Sequence, residues 1–416
     1  MPDAPHSSPR AGPLTGLRAI ELGSTVAGPF CARLLADFGC DVIKVEQAEG
    51  DAVRSLGHRH KGRSLYNASI QRGKRNISID LRTDAGRKLT RRLCETADIV
   101  VENFRPGTLE RWGLGYDTLS NANPGLIMVR ISGYGQNGPY SDRGGYGVVC
   151  EATSGLREIT GDPDRPPPRT ATPLTDYIAG TYGAFGTVMA ILERQRTGHG
   201  QIVDTALYEG AFSFMEPHVP AFQQLGIIAG RAGPRLPGSA PNSIYPTRDD
   251  GFVTITAASN AVFRRLALVM EREDMITDPR FSSAVARAEN VVACDDAVAA
   301  WTRTMDAVAL ETQLEAAKVP AARIYTIADI FADPHYQARD MLVDVVDDVL
   351  GNVTVAGVVP RLSETPGQVR WIGRDTGADT SEILKQDLQL SNAEIDALIE
   401  AGVVASGNAT NINDEY

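Results

Sequence analysis

Apolar runs alternate with amphipathic stretches through the first third of the chain. Residues 17–22 and 41–46 are short segments with adjacent apolar residues, and we predict that both are buried strands. Between them lies a turn of small residues, and then residues 29–38 carry apolar side chains at helical spacing. Two strands joined through a helix by short connections predict a βαβ unit.

The same alternation continues to residue 131. We predict strands at 76–80, 98–101 and 126–131, a helix at 83–95, and partly helical structure at 109–121. Helices in the crossover connections of such a chain cover both faces of a parallel sheet. The pattern therefore predicts an α/β fold with a parallel sheet.

A glycine-rich segment, residues 132–147, follows the last of these strands and contains six glycines. We predict a loop here, at the carboxyl end of a strand, where open α/β sheets bind ligands. Residues 176–196 are predicted to form one long helix. Glycines three apart in this helix would let another backbone pack closely.

A second lobe is predicted in the second half of the chain. Residues 226–246 are rich in glycine and proline and mark a boundary into it. A strand, a helix, a broken helix and a short strand are predicted at 251–256, 261–271, 291–317 and 321–324. Strand-like runs resume at 343–349 and 353–359.

Composition narrows the class of partner. The 416 residues are 43% hydrophobic and 22% charged, which is ordinary for a globular protein of two domains. A net charge of −11 disfavours nucleic acids and anionic membranes as partners, because both are negatively charged. No apolar stretch reaches about 18 residues, so no transmembrane helix is expected.

The cysteines and the N-terminal residues indicate a cytoplasmic protein. Five cysteines are scattered without CxxC spacing, which favours free thiols over disulfides or a zinc site. Residues 1–13 are polar and proline-rich and lack the apolar core of a signal peptide. We expect a disordered tail at 1–12 and a frayed end from 406.

Common cofactor motifs are missing. The turn at residues 23–29, after the first predicted strand, does not match GxGxxG, so NAD or FAD binding is disfavoured. The chain also lacks a P-loop GKS/T, an HExxH motif and a GxSxG elbow. Six scattered histidines without metal-ligand spacing disfavour a metal site.

Basic residues cluster near two predicted strands. They are Lys61, Arg63, Arg72, Lys74 and Arg75 before one strand, and Arg105 and Arg111 after another. Arg and Lys form charge-assisted hydrogen bonds with phosphate, so the cluster suits a ligand with several phosphates. A solvated surface explains the same pattern equally well.

Asp176 lies at the start of the long predicted helix. The more common reason for such a residue is helix capping, by Thr175 or by Asp176 itself. The alternative is a carboxylate nucleophile directed at a ligand cleft. The local pattern alone favours the cap.

Nine stretches of the chain, spread over about residues 14–366, carry a common signature. They are AGP at 27–29, GCDVIKVE at 39–46, GD at 50–51, KRNIS at 74–78, VENFRPG at 101–107, GLGY at 113–116, SGYGQNGP at 132–139, TGHGQ at 197–201 and DP at 333–334. In this order they resemble the family III CoA-transferases, the group of formyl-CoA and carnitine CoA-transferases.

The resemblance implies a Rossmann-like large domain with a parallel sheet, formed by residues 1–222 and 335–416. A smaller α/β lobe at 223–334 is inserted between these parts. The resemblance also implies an interlocked homodimer.

The resemblance further implies functional residues. Asp176 stands where the family has its nucleophilic aspartate. The residues that match CoA-binding positions are Val26, Ala27, Gln71, Arg72, Gly73, Lys74, Arg75, Asn103, Phe104, Arg105, Arg111, Ser132, Gly133, Tyr134 and Gly135. Gln47 stands where formyl-CoA transferases carry an arginine, so contacts on the adenine side are expected to differ.

The implied reaction moves coenzyme A from an acyl-CoA to a carboxylic acid, without a metal or redox cofactor. Asp176 would attack the donor thioester, giving first a mixed anhydride and then an aspartyl-CoA thioester. Formyl-CoA transferases close a glycine run over oxalate, whereas residues 230–238 of this chain include Arg231 and Arg235. Oxalate is therefore disfavoured.

These arginines either hold the distal carboxylate of a longer diacid or face solvent. We expect succinyl-CoA as donor and malate, citramalate, itaconate or glutarate as acceptor, with Tyr146 as a further candidate for substrate contact. One alternative is an α-methylacyl-CoA racemase. Such enzymes also have the aspartate, but they add a His–Asp pair where this chain has Tyr146 and Gly147. Another is a non-catalytic CoA-binding protein, which the presence of both Asp176 and the glycine-rich segment disfavours.

Overall fold

The chain forms two compact units in a computed structural model that describes residues 12–407. The first unit comprises the described residues up to Leu156, Thr170–Val219, and the described residues from Gln337 onward. The second comprises Arg157–Arg169 and Pro220–Tyr336. The tail predicted at 1–12 lies outside the described residues except for Gly12, as does the predicted frayed end beyond residue 407.

Strands and helices alternate in the first unit. In its parts before Val219, its elements are β1 (Arg18–Glu21), α1 (Ala27–Asp37), β2 (Asp41–Glu46), β3 (Arg59–His60), β4 (Arg63–Ser64), α2 (Leu65–Ile70), β5 (Lys74–Ile79), α3 (Asp84–Glu95), β6 (Ile99–Glu102), α4 (Thr108–Arg111), α5 (Tyr116–Ala122), β7 (Ile127–Ser132), α6 (Gly147–Thr153), α7 (Leu174–Thr197), β8 (Ile202–Ala206) and α8 (Leu207–Phe212). Short 3₁₀ helices lie at Ala52–Ser55 and Ser213–Met215.

The remaining elements follow in chain order. They are α9 (His218–Leu225), β9 (Asn242–Pro246), β10 (Phe252–Thr256), α10 (Asn260–Val269), α11 (Asp274–Thr277), α12 (Ala284–Glu289), α13 (Val291–Thr302), α14 (Ala307–Ala316), β11 (Ala321–Arg323), α15 (Ile327–Ala332), α16 (Pro334–Ala338), β12 (Leu342–Asp347), β13 (Gly351–Ala356), α17 (Thr380–Gln386), α18 (Asn392–Glu400) and β14 (Val404–Ala405).

Seven strands form the main sheet of the first unit, in the order β14-β5-β2-β1-β6-β7-β8. All pairings are parallel except that between β14 and β5. The chain runs outward from β1 through β2 to β5, and then returns to β6 on the other side of β1. The strand order therefore reverses between β1 and β6, which creates a crevice at their carboxyl ends.

Helices cover both faces of this sheet. Ile20 and Val100 lie in a core that also includes side chains of α3, α5, α17 and α18. Their neighbours Ala19 and Ile99 lie in a second core, with side chains of α1 and α7. Successive strand residues point to opposite faces, so buried apolar runs of this kind need cover on both sides. The predicted parallel α/β sheet is confirmed.

The second unit is a smaller α/β structure. Its three strands form an antiparallel sheet in the order β11-β10-β9. A separate apolar core joins Tyr245 and Val253 of this sheet to Phe263, Val298 and Leu310 of the helices.

The proline-rich segment Arg157–Arg169 belongs to the second unit, whereas the predicted large domain, residues 1–222, includes it. Arg231 explains the difference, because its guanidinium donates hydrogen bonds to the main-chain carbonyls of Asp162 and Pro163. In addition, Gly233 N–H donates to the Gly161 carbonyl. Contacts between residues about seventy positions apart leave no local signal in a sequence.

Candidate active site

Close packing of α7 against α1 sets the position of the site. A side chain at Gly180 would approach the Ala27 carbonyl oxygen to 2.8 Å, and one at Gly183 would approach Cys31 Sγ to 3.2 Å. The glycines of the predicted helix therefore do permit close approach of another backbone. This packing holds the first turn of α7 in place beside the first turn of α6.

Asp176 lies in that first turn of α7 and does not cap the helix. The helix begins at Leu174, after Pro173, and no side chain caps its N-terminus. The predicted capping role of Thr175 or Asp176 is therefore wrong. Both side chains lie against Gly147, where an added methyl group would overlap Asp176 Oδ2 and approach Thr175 Oγ1 to 2.7 Å.

The Asp176 carboxylate is half-buried and lacks a stabilising side-chain partner. It accepts a hydrogen bond from its own main-chain N–H, but within residues 12–407 no side chain donates to it and no cation pairs with it. Burial raises the pKa of Asp176 from its ordinary value to about 6, because removal of water disfavours the charged form. The result is an ionisable carboxylate that is poorly solvated near neutral pH.

An apolar and aromatic cluster lies beside this carboxylate. Phe30 packs edge-on against Tyr177 at a centroid distance of 4.7 Å, and the Tyr177 hydroxyl lies 3.0 Å from that of Tyr66. Val26 belongs to the same cluster. Burial raises the pKa of Tyr66, the Tyr177 hydrogen bond raises it further, and the negative charge of Asp176 adds to the shift.

The glycine-rich loop folds back on itself next to Asp176. A side chain at Gly133 would approach the Gly145 α-carbon to 2.6 Å, so the two ends of the loop are in backbone contact. Gly135 N–H donates to Ser132 Oγ at 3.0 Å. Tyr134 packs against Tyr208 at a centroid distance of 5.7 Å.

Asn103 joins the loops that follow β1 and β6. Its side-chain amide donates to the Ser24 carbonyl at 2.9 Å and accepts from Ser24 N–H at 2.8 Å. A methyl group at Gly23 would approach Asn103 Oδ1 to 2.9 Å. The neighbouring Phe104 packs edge-on against Trp112. Asn103 therefore shapes the crevice beside β1, next to the predicted residues Val26 and Ala27.

Most of the predicted basic cluster is structural. The Arg72 guanidinium is buried and paired with Asp37, with Nη2 2.8 Å from Oδ2. Lys74 Nζ is buried and contacts Glu21 Oε2 at 2.6 Å and Gln71 Oε1 at 2.7 Å. Enclosed, neutralised side chains cannot present charge to a ligand, which corrects the expectation of phosphate binding by Arg72 and Lys74.

The other cations near these strands are also engaged. Arg75 pairs with Asp41 and Asp387. Arg63 pairs with Asp347 and Asp375, and Lys61 donates to the Val349 carbonyl. Gly73 is part of the same backbone framework, since its N–H donates to the Trp371 carbonyl.

Arg105 and Arg111 are different, because both are exposed. In the described part of the chain, neither forms an ion pair with a carboxylate. Arg105 Nη2 lies 3.6 Å from the position of a side chain at Gly144, beside the glycine-rich loop. Arg111 extends over Gly107, and its guanidinium donates to Thr108 Oγ1 at 3.0 Å. These two arginines remain available for phosphate.

The three candidate substrate residues have separate environments. Tyr146 precedes α6, with 80% of its surface exposed. In the second unit, Arg231 pairs with Glu158 at 3.2 Å. Arg235 pairs at 2.6 Å with Asp295 Oδ2. Each arginine already has a carboxylate partner, which counts against the predicted pair of free guanidinium groups.

Two features of the site had no signal in the sequence. The first is the contact of Asp176 with Gly147, because α6 and α7 are joined by a long irregular segment. The second is the Thr175 hydroxyl, which is buried and has no hydrogen-bond partner in the described part of the chain. Both depend on the packing of α7.

The described residues form neither a metal-binding cluster nor a membrane-spanning helix. Residues 12–407 contain no group of three or more His, Cys, Asp or Glu side chains arranged to hold a metal ion. No helix within those residues is both long enough and apolar enough to cross a membrane.

Comparison with known proteins connects this geometry to a family. The family model described as CoA-transferase family III matches residues 14–380. The chain belongs to CoA-transferase family III. This confirms the resemblance inferred from the nine sequence stretches, and the protein is therefore an enzyme whose substrates are CoA thioesters.

Relatives and solved structures agree with this assignment. The chain is 46% identical over 391 residues to a succinyl-CoA–D-citramalate CoA-transferase of Chloroflexus aurantiacus, covering 94% of this chain and 97% of the relative. It is 37% identical to a succinate–glutarate CoA-transferase of Agrobacterium fabrum, covering 83% and 87%. A crystal structure of a CAIB/BAIF family protein from Brucella suis matches this family III CoA-transferase with a TM-score of 0.81 and 32% identity, covering 90% of this chain and 99% of that one.

Proposed function

We propose that this enzyme transfers CoA from succinyl-CoA to a small dicarboxylic acid of the malate, citramalate, itaconate or glutarate type, with Asp176 as the nucleophile. The observation that carries the proposal is the Asp176 carboxylate, half-buried against Gly147 without a cation or donor side chain in the described structure. Poor solvation of this kind increases the reactivity of a carboxylate. The names of the D-citramalate and glutarate relatives support the choice of donor and acceptor class.

The reaction then proceeds through covalent steps on one carboxylate. An Asp176 oxygen attacks the donor thioester carbonyl, and CoA thiolate leaves as the mixed anhydride forms. The thiolate attacks the Asp176 carbonyl, releasing succinate and leaving an aspartyl-CoA thioester. The acceptor carboxylate displaces the thiolate from this thioester, and the thiolate then attacks the acceptor's acyl carbon, which releases Asp176. Each step exchanges one acyl bond for another, so no oxidant or reductant is consumed.

We propose that CoA binds along the crevice between β1 and β6. The loops that follow β1, β6 and β7 meet at one edge because these strands are neighbours in the sheet. They contribute Val26 and Ala27, Asn103 to Arg105, and Ser132 to Gly135. Arg105 and Arg111 are the residues proposed to contact its phosphate groups, since both are exposed and lack carboxylate partners within residues 12–407.

The second candidate function is that of a racemase, and Gly147 counts against it. A racemase of this type needs an acidic residue at position 147, but a side chain there would overlap the Asp176 carboxylate. The proton-transfer pair therefore has no room beside Asp176 as it is packed here.

A turnover assay tests the proposal. Purified enzyme is incubated with succinyl-CoA and single carboxylic acids, and new CoA esters are identified by mass spectrometry. We expect a new ester from a dicarboxylate, lost in Asp176→Asn but retained in Asp117→Asn, an exposed carboxylate on α5. Exchange of the α-proton of a 2-methylacyl-CoA, without ester formation, would instead establish the racemase.

A further inference from the structure

The Thr175 hydroxyl forms no hydrogen bond with its own helix. The residue is only 1% exposed, and its Oγ1 has no hydrogen-bond partner within residues 12–407. The other threonines of α7 behave differently: Thr181, Thr187 and Thr197 each donate to the carbonyl four residues earlier. Thr175 is in the first turn, where a carbonyl four residues earlier lies outside the helix.

The unpaired hydroxyl and the reacting carboxylate both border Gly147. Asp176 Oδ2 and Thr175 Oγ1 are the two nearest oxygens to the position of a side chain at Gly147. The absence of that side chain leaves a small space bordered by the two oxygens. Buried polar groups in native proteins nearly always have partners, so an unpaired one calls for a specific explanation.

The proposed reaction creates a hydrogen-bond partner for the Thr175 hydroxyl only during turnover. When CoA thiolate attacks the acylated Asp176, a bond forms between sulfur and Cγ. The π electrons of the Asp176 carbonyl then move onto its oxygen. This negative charge develops on an oxygen that belongs to the protein, so it arises at the same place for every donor and acceptor. A fixed donor next to that oxygen would serve each half of the exchange.

We propose that Thr175 is a further catalytic residue, whose hydroxyl donates a hydrogen bond to the oxyanion that forms on the Asp176 carbonyl. The proton stays on Oγ1 throughout, and collapse of the intermediate expels the bound carboxylate. This assignment rests on the proposed function. In the resting enzyme the hydroxyl remains unpaired, so the interaction is strongest in the transition state, where it accelerates the reaction.

The test compares substitutions that keep or remove this hydroxyl. Thr175→Val preserves the shape of the side chain without the donor, and Thr175→Ser keeps the donor. Thr90→Val is the matched control. Thr90 on α3 is also buried with an unpaired hydroxyl, but α3 packs in the other apolar core of the main sheet, away from α7. Thr187→Val controls for the loss of a buried, bonded hydroxyl on α7 itself.

We expect Thr175→Val to lower kcat about 100-fold, as loss of one oxyanion donor does in other acyl transfers. The KM for succinyl-CoA should stay close to the wild-type value, and the thermal midpoint should not fall, because no bond in the resting enzyme is lost. Thr175→Ser should recover most of the rate, and Thr90→Val should match the wild type.

Two results would overturn the assignment. One is a Thr175→Val enzyme with an undiminished kcat, and the other is an equal loss of rate in Thr175→Val and Thr175→Ser. In both cases the wild type is active, so the transferase proposal stands. A wild-type enzyme that forms no CoA ester with any acid would overturn the transferase proposal itself, and this assignment with it.

Discussion

Burial of the reactive Asp176 carboxylate makes it harder to ionise. Only the carboxylate form is a nucleophile, and burial raises the pKa of Asp176 to about 6. We therefore predict that kcat/KM for succinyl-CoA is constant above this value and falls about tenfold per pH unit below it, because kcat/KM reports ionisation in the free enzyme. A profile of kcat/KM from pH 4.5 to 8 measures the inflection. A flat profile across pH 5 to 7 would show that ionisation of Asp176 does not limit the reaction.

We predict that activity requires Gly147, because the absence of a side chain there leaves room for the Asp176 carboxylate. An added methyl group would overlap Asp176 Oδ2, so Gly147→Ala must displace the carboxylate. We expect kcat to fall about 100-fold, since small misplacements of a reacting group have effects of this size. The backbone angles at Gly147 are available to alanine, so folding should be retained.

Gly144→Ala is the matched control for that substitution. A methyl group there meets nothing closer than Arg105 Nη2, at 3.6 Å, which is an ordinary contact. Both variants are compared by kcat and by thermal unfolding. If Gly144→Ala and Gly147→Ala lose the same activity, the loss reflects loop rigidity in general and not space beside Asp176.

At the level of secondary structure, the basic residues divide into two groups with different roles. Arg72 is buried against Asp37, whereas Arg105 is exposed beside the glycine-rich loop. We predict that Arg72→Ala lowers the free energy of unfolding by about 3 kcal/mol, the lower end for a broken buried pair, because Arg33 still contacts Asp37. Arg105→Ala should leave stability unchanged and weaken CoA binding.

Urea denaturation and calorimetric titration with CoA measure the two effects separately. Each substitution should alter one of these two quantities and leave the other unchanged. A stable Arg72→Ala protein with weakened CoA binding would restore Arg72 as a phosphate ligand.

The elements that the sequence predicted well are the central strands of the main sheet. Strands β1, β2, β6 and β7 are buried on both faces, so each contains adjacent apolar residues, although charged side chains interrupt them. The two edge strands were missed. β8 is partly exposed, and β14 has only two residues, whose pairing with β5 depends on the folded chain.

The candidate site was predictable only in part, because several of its contacts exist only in the folded chain. Asp176 was identified from the family motifs, and the glycine-rich loop from its composition and its place after a strand. The ion pairs of Arg72 and Lys74 join residues far apart in the sequence, so basic composition could not distinguish buried cations from exposed ones. The Thr175 and Gly147 contacts likewise depend on where α7 packs.

At the level of the whole molecule, an apolar stripe on α7 supports the homodimer that the resemblance implies. Its members recur at helical spacing and are all exposed: Tyr182, Phe185, Val188, Met189 and Leu192. Large exposed apolar patches mark surfaces that associate with other proteins. We propose that a second copy of the chain covers this stripe.

Substitution of the stripe tests this proposal. If a second copy covers the stripe, Phe185→Glu combined with Leu192→Glu should lower the mass from that of a dimer to that of a monomer, because two charges would be buried at the interface. Light scattering after gel filtration measures the mass. Leu268→Glu, on an exposed apolar residue of α10, is the control and should leave the mass unchanged. A wild-type protein that is monomeric at micromolar concentration would contradict the proposal.

Trapping the covalent intermediate shows directly whether Asp176 is the nucleophile. The enzyme is incubated with succinyl-CoA, quenched with hydroxylamine, digested and analysed by mass spectrometry. We predict a hydroxamate on Asp176, because an anhydride or thioester at that carboxylate reacts with hydroxylamine. Active enzyme with Asp176 unmodified, or with the hydroxamate on a different carboxylate, would contradict this prediction.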